Sequence, residues 1–144
     1  MNKKYRIGYT QGTYDLFHAG HLNLLENAKK QCDYLIVGIN SDTLVESYKN
    51  KKATIPEIDR ARIVEALRIV DEVHIVNTLD KMDAFNNYNF DVIFIGDDWK
   101  SSERWINTEK ELNNHGVAVV FLPHTDGIST TWIYKKLTSI LSKK

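Results

Sequence analysis

Five short runs of nearly continuous apolar residues punctuate the chain: Tyr5–Tyr9, Tyr34–Ile39, Val73–Val76, Val92–Ile95 and Val117–Leu122. Their β-branched and aromatic content predicts strands, and the lack of clean alternation predicts strands covered on both faces, as parallel ones are. Between them the spacing becomes helical. Ala19–Gln31 sets Leu22, Leu25 and Ala28 along one stripe, and Pro56–Val70 does the same with Ala61, Val64, Ala66 and Leu67 behind an early proline. Asp80–Tyr88 and Ser102–His115 predict two weaker helices, the second stopped by Gly116, and Thr130–Leu141 starts on hydroxyl residues suited to a helix beginning. Strands alternating with helices predict a doubly wound α/β fold, a parallel sheet of five strands with flanking helices. Such sheets take ligands at the carboxyl ends of their strands, where the strand order reverses. No repeat or linker interrupts the pattern, so residues 1–144 read as one domain.

Composition narrows the classes. With 144 residues, 42% of them hydrophobic, the chain can bury one core. Nineteen basic and nineteen acidic residues cancel, so overall charge points to neither a nucleic acid nor a membrane, and any phosphate site must come from local clustering. No stretch approaches the roughly 18 apolar residues that span a bilayer. Met1–Lys4 leads into the first strand without a signal-peptide core, so a cytoplasmic location is expected. Cys32, the single cysteine, excludes an intramolecular disulfide and a cysteine metal cage, and is expected to pack as a small hydrophobe.

Local clustering does occur. After the first strand, Gly12, His18, Gly20 and His21 fall at the mouth of a helix. Histidines three apart at a helix start share a face, the glycines let backbone approach a ligand, and the free amides and dipole end attract an anion. Ser129, Thr130 and Thr131 open the last helix, where one hydroxyl would cap and three suggest a second anion site. Lys49, Lys51 and Lys52 form the concentrated basic patch, in a polar loop from Tyr48 to Thr54. Arg60, Arg62 and Arg68 lie on the following helix among Asp59 and Glu65, where surface ion pairs are the plain expectation. Adjacent Asp97 and Asp98 point opposite ways in an extended segment, which argues against one shared metal ion. His74 and His115 have no motif around them and read as structural or surface residues.

The string Gly12-Thr13-Tyr14-Asp15-Leu16-Phe17-His18-Ala19-Gly20-His21-Leu22, with Gly96-Asp97-Asp98-Trp99 and Gly127-Ile128-Ser129-Thr130-Thr131 in that order, resembles the cytidylyltransferase branch of the nucleotidyltransferases, most closely the glycerol-3-phosphate cytidylyltransferases. The resemblance runs almost the length of the chain and implies a Rossmann-like fold. It implies a transferase joining CMP from CTP to a small phosphorylated alcohol, with pyrophosphate released. Catalysis would fall to His18, His21 and Lys51. The nucleotide would be held by Thr10, Gly12, Thr13, Gly20, His124, Gly127, Ile128, Ser129, Thr130 and Thr131, with the base beside Asp97, Asp98 and Trp99. Lys49, Arg60 and Arg68 would hold the acceptor phosphate. Mg²⁺ would arrive on the nucleotide, which supplies most of its ligands, so no protein metal site is expected. Homologues of this kind are commonly homodimers. The length leaves no room for the tRNA-recognition domains of the synthetases that carry a similar histidine motif.

A phosphomonoester is largely dianionic at neutral pH, so in-line attack on the α-phosphorus needs positioning and charge neutralisation more than a strong base. Two other readings remain open: the same chemistry with ATP or another polyol or aminoalcohol phosphate, and a non-catalytic nucleotide-binding module. The chain departs from the family at one point. Where the compared enzymes carry Arg-Thr-Glu before the last motif, this one has His124-Thr125-Asp126, exchanging a permanent charge for a titrating one.

Overall fold

A computed structural model describes residues 3–96 and 102–142. Strand β1 (Tyr5–Gly12) is followed by α1 (Ala19–Lys29), β2 (Cys32–Asn40), α2 (Asp42–Lys49), α3 (Glu57–Glu65), β3 (Glu72–Val76), α4 (Lys81–Tyr88), β4 (Val92–Gly96), α5 (Glu103–Asn114), β5 (Ala118–Leu122) and α6 (Thr130–Ser142). The five strands form one sheet in the order β3-β2-β1-β4-β5, every pair parallel. Strand order reverses between β1 and β4, so the carboxyl end of β1 at Gly12 is where a doubly wound sheet binds its ligand.

Alternate residues of the strands feed two cores. Leu35, Val37, Ile39, Val92 and Phe94 meet Leu25, Ala28 and Val64 of α1 and α3 on one face. Tyr9, Ile36, Ile93 and Ile95 meet Ala84, Trp105 and Leu112 of α4 and α5 on the other. Burial on both faces explains the unbroken apolar runs. Cys32 is fully buried, and burial raises its thiol to about 11, so it packs as expected.

Element boundaries depart from the sequence pattern in informative places. Parallel pairing with β2 carries β1 on from Tyr9 to Gly12, across polar Thr10 and Gln11 that periodicity cannot assign to a strand. The unpredicted helix α2 is capped by Ser41, whose Oγ accepts the Leu44 N–H at 3.1 Å, and it buries Leu44 and Val45. Lys49 is therefore the last residue of a helix and not a loop residue, and Asn50 closes that helix in the left-handed region at φ 56°. Helix α3 stops at Glu65, five residues short of the predicted end, because the chain turns there to bury Val70 ahead of β3.

Candidate active site

Helix α1 begins with main-chain N–H groups that no carbonyl can satisfy, and two histidines satisfy them. His18 is the N-cap in an extended conformation, and its Nδ1 accepts the Gly20 N–H at 3.0 Å. His21 Nδ1 reaches back to accept the His18 N–H at 3.2 Å, completing a capping box built from two imidazoles. An amide N–H can only donate, so each Nδ1 is bare and each neutral ring carries its proton on Nε2. The rings stack with centroids 3.8 Å apart and planes 24° from parallel. Burial, then the neighbouring His18, lowers His21 to about 4, with Asp15 opposing and Lys49 adding to the shift. Burial and then His124 lower His18 as well. The pair is thus neutral at pH 7 and offers two Nε2–H donors. Glycine is needed between them, because a Cβ at Gly20 would lie 2.8 Å from the His18 ring and push it off the cap.

Three other segments converge on this helix start. Lys49 acts on the charge state of His21, and Lys51 Nζ lies 5.0 Å from the Tyr134 ring centroid on α6. The loop before α6 lies against α1: Asn23 Nδ2 donates to Thr125 Oγ1 at 3.2 Å, and the Ile128 methyl is 3.6 Å from where a Gly20 Cβ would be. Exposed His124 stands near enough to lower His18. Gly127 turns the chain at φ 83°, and Ser129 caps α6, its Oγ accepting the Trp132 N–H at 3.0 Å. Among the described residues nothing accepts the Ser129 hydroxyl hydrogen, whereas Thr130 Oγ1 donates to the Asp15 carbonyl at 2.7 Å and Thr131 is exposed. Two helix starts and two lysines therefore face one region, an arrangement suited to a polyanion.

The remaining expected residues sort differently. Gly12 ends β1 beneath the Tyr14 ring, and Thr13 Oγ1 bonds the Tyr48 hydroxyl at 3.0 Å. Thr10 is 2% exposed and its Oγ1 donates to the Phe94 carbonyl at 2.8 Å, so it braces β1 against β4 and does not face a nucleotide. Arg60 is not free to meet an acceptor: it is 1% exposed, Nε donates to Ile55 O at 2.8 Å, and Nη1 donates to Thr13 O at 2.7 Å and Asn40 O at 2.8 Å. Its Nη2 pairs with Asp42 at 2.6 Å, which ties together the ends of β1, β2 and the loop before α3. Arg68 lies in the turn between α3 and β3, at the amino-terminal edge of the sheet and away from the site. Asp97, Asp98 and Trp99 lie outside the described residues. Among the described residues no three His, Cys, Asp or Glu side chains cluster for a metal.

Sequence reasoning passed over Asp15, Asn40 and Tyr48. Asn40, 4% exposed, accepts from Gln11 Nε2 at 2.9 Å and donates to Tyr48 OH at 3.2 Å and Thr13 Oγ1 at 3.3 Å. Asp15 falls within the Gly12–Leu22 segment, whose family resemblance was the available signal; nothing in the sequence marks Asn40 or Tyr48.

Two outcomes follow from this geometry. Arg60→Met should cost about 3 kcal/mol in urea unfolding, because it strands buried carbonyls; full stability with only a raised acceptor KM would return Arg60 to the acceptor site. For His21, the folded value near 4 lies below the ordinary 6.5, so on acidification the unfolded chain takes the proton first. Its contribution is complete above pH 6.5 and is lost as pH falls from about 6.5 to 4, by at most about 3 kcal/mol, less for a part-exposed ring. His21→Gln should flatten that segment of the stability–pH curve, and an unchanged slope would contradict the assignment.

Comparison with known proteins agrees with the geometry. A family model described as cytidylyltransferase-like matches residues 9–136. A glycerol-3-phosphate cytidylyltransferase of Bacillus spizizenii is 40% identical over 132 residues, covering 91% of this chain and 96% of its own. The bifunctional protein HldE of Methylobacillus flagellatus is 36% identical over 93% of this chain, but over only 27% of its own length. A lipopolysaccharide core biosynthesis protein from Thermoplasma volcanium shares the fold, with a TM-score of 0.69 at 24% identity over 84% of this chain and 97% of that one. With the matched family model running from the middle of β1 into α6, the chain belongs to the cytidylyltransferase-like family and is a nucleotidyltransferase.

Proposed function

We propose that the protein transfers CMP from CTP to a small phosphorylated alcohol, glycerol 3-phosphate first among them, and releases pyrophosphate. The observation that carries this reading is the pair of stacked, neutral imidazoles whose Nδ1 atoms cap the helix start and leave the Nε2–H groups as donors, with Lys49 close enough to act on His21. The names of the relatives support the choice of nucleotide and acceptor. An acceptor phosphate oxygen attacks the α-phosphorus in line with the departing pyrophosphate. A ring held near 4 is a poor proton acceptor, so His21 contributes a fixed hydrogen-bond donor to oxygens that gain charge, as His18 does. Lys49 and Lys51 neutralise the phosphates, and the Ser129 hydroxyl and the α6 amides hold the far end of the triphosphate. Mg²⁺ carried by the nucleotide would supply charge neutralisation on the triphosphate, while His18, His21, Lys49, Lys51 and Ser129 would act as hydrogen-bond donors to its oxygens. Base recognition is assigned to the Asp97-Asp98-Trp99 segment from sequence alone. A homodimer is part of the same reading and is open to light scattering.

A pyrophosphate-release screen of four nucleotides against phosphorylated polyols and aminoalcohols tests the proposal. CTP should exceed ATP by at least about tenfold in kcat/KM, which asks roughly 1.4 kcal/mol of the base pocket. Preference for ATP would move the protein to another nucleotide, and no release with any pair would mark a binding module.

His18→Ala and His21→Ala should each lower kcat by roughly 10²–10⁴-fold, the scale of losing a preorganised donor, with helix content retained by circular dichroism. Near-normal turnover in either folded variant would remove the histidines from the chemistry. If His124 meets the triphosphate, His124→Arg should tighten CTP binding, because a permanent charge on a planar fork then grips the phosphates. Equal CTP Kd values for the two proteins would show that His124 stands clear of the nucleotide.

A further inference from the structure

Asp15 is 8% exposed, and beyond its opposing effect on His21 the chemistry described above does not use it. Its carboxylate is fully engaged, Oδ2 accepting the Thr54 N–H at 2.8 Å and Oδ1 the Ile55 N–H at 2.9 Å. Its main-chain carbonyl accepts the Thr130 hydroxyl at 2.7 Å. One residue thus holds the end of the lysine loop with its side chain and the start of α6 with its backbone. The residues on either side, Tyr14 at φ 54° and Leu16 at φ 50°, are both left-handed without being glycine. Such conformations are unfavourable for residues with a Cβ, and they persist where surrounding contacts over-determine them.

The loop is short and fixed at both stems. Tyr48, just before it, is bonded to Thr13 and Asn40. Beyond it, Ile55 is held from the other side by Arg60, and Asp42 and Glu57 each accept the other's main-chain N–H, at 3.2 and 2.9 Å. Lys51 and Lys52 therefore hang on a span whose far end is set by two bonds to Asp15. The tip of Lys51 meets α6 at Tyr134, the same helix that Asp15 holds through Thr130. Both elements that would surround the triphosphate are registered to one buried residue in the loop that leads into the histidines.

Resting on the nucleotidyl-transfer reading, we propose that Asp15 is a positioning residue that couples the lysine loop to the hydroxyl-bearing start of α6, so that Lys51 and Ser129 present themselves to the phosphates as a unit. It acts through Lys51 and touches no reactant, since both carboxylate oxygens are occupied by main-chain amides.

The test uses Asp15→Asn, which keeps the shape but turns an NH₂ toward one of the two amides. Hydrogen exchange on the whole protein, without substrate, should show at least about tenfold faster exchange in residues 50–56 and 129–133, with β1, β2 and β4 unchanged. Unaltered protection in those segments, or a uniform loss across the sheet, would overturn the coupling, whatever the protein turns over. Kinetically, Asp15→Asn should lower kcat about 30-fold in the wild type and less than about threefold in a Lys51→Ala background, because the anchor has then lost what it positions. Equal losses in both backgrounds would show a general structural role. Should Asp15→Asn fail to fold, Thr130→Val cuts only the α6 bond and must show the same non-additivity with Lys51→Ala. A wild type inactive on every nucleotide would defeat the functional reading, while the exchange result still decides the role of Asp15.

Discussion

The main-chain amides at the start of α1 must be satisfied, and in this protein two histidines satisfy them. A hydroxyl or carboxylate would do the capping as well. Imidazole does something more, because accepting at Nδ1 dictates that the remaining proton sits on Nε2, on the far side of the ring. Stacking at 3.8 Å then makes a second positive charge costly, so the same geometry that caps the helix keeps the donors neutral and aimed. One set of bonds caps the helix and fixes the tautomer of both rings.

Rigidity behind this cap comes from polar ties along the carboxyl edge of the sheet. Thr10 joins β1 to β4, Arg60 joins the ends of β1 and β2 to the loop before α3, and Asp15 joins that loop to α6. No buried side-chain polar atom among the described residues lacks a partner, which is what such an edge requires if it is to hold a constellation of donors without collapsing. The apolar layers below fix where the strands end; the polar layer fixes where the loops go.

The fold was legible because parallel strands buried on both faces leave unbroken apolar runs and helices leave stripes, as β2 and α1 do. Signals failed where long-range contacts decide: Thr10 and Gln11 join β1 only through pairing with β2, and α2 exists because Ser41 caps it and Leu44 and Val45 are buried. In the site, His18, Gly20 and His21 were readable since their spacing on one helix determines their contacts. Arg60 was placed at the acceptor by family resemblance, whereas its guanidinium is consumed by carbonyls 47 and 20 residues away and a nearby carboxylate. Asn40 and Tyr48 stayed invisible for the same reason: their partners are set by strand order, not by neighbours in the chain.

The tautomer of the two histidines is the point at which the account is most directly open to measurement. Long-range ¹⁵N–¹H correlation spectra of the imidazoles, recorded from pH 8 downward, should show His18 and His21 both as neutral Nε2–H rings at pH 7, with His21 holding that form until about pH 4. An Nδ1–H ring at either position, or His21 titrating near 6.5 as a free histidine does, would contradict the claim that main-chain caps set the donors that face the phosphates.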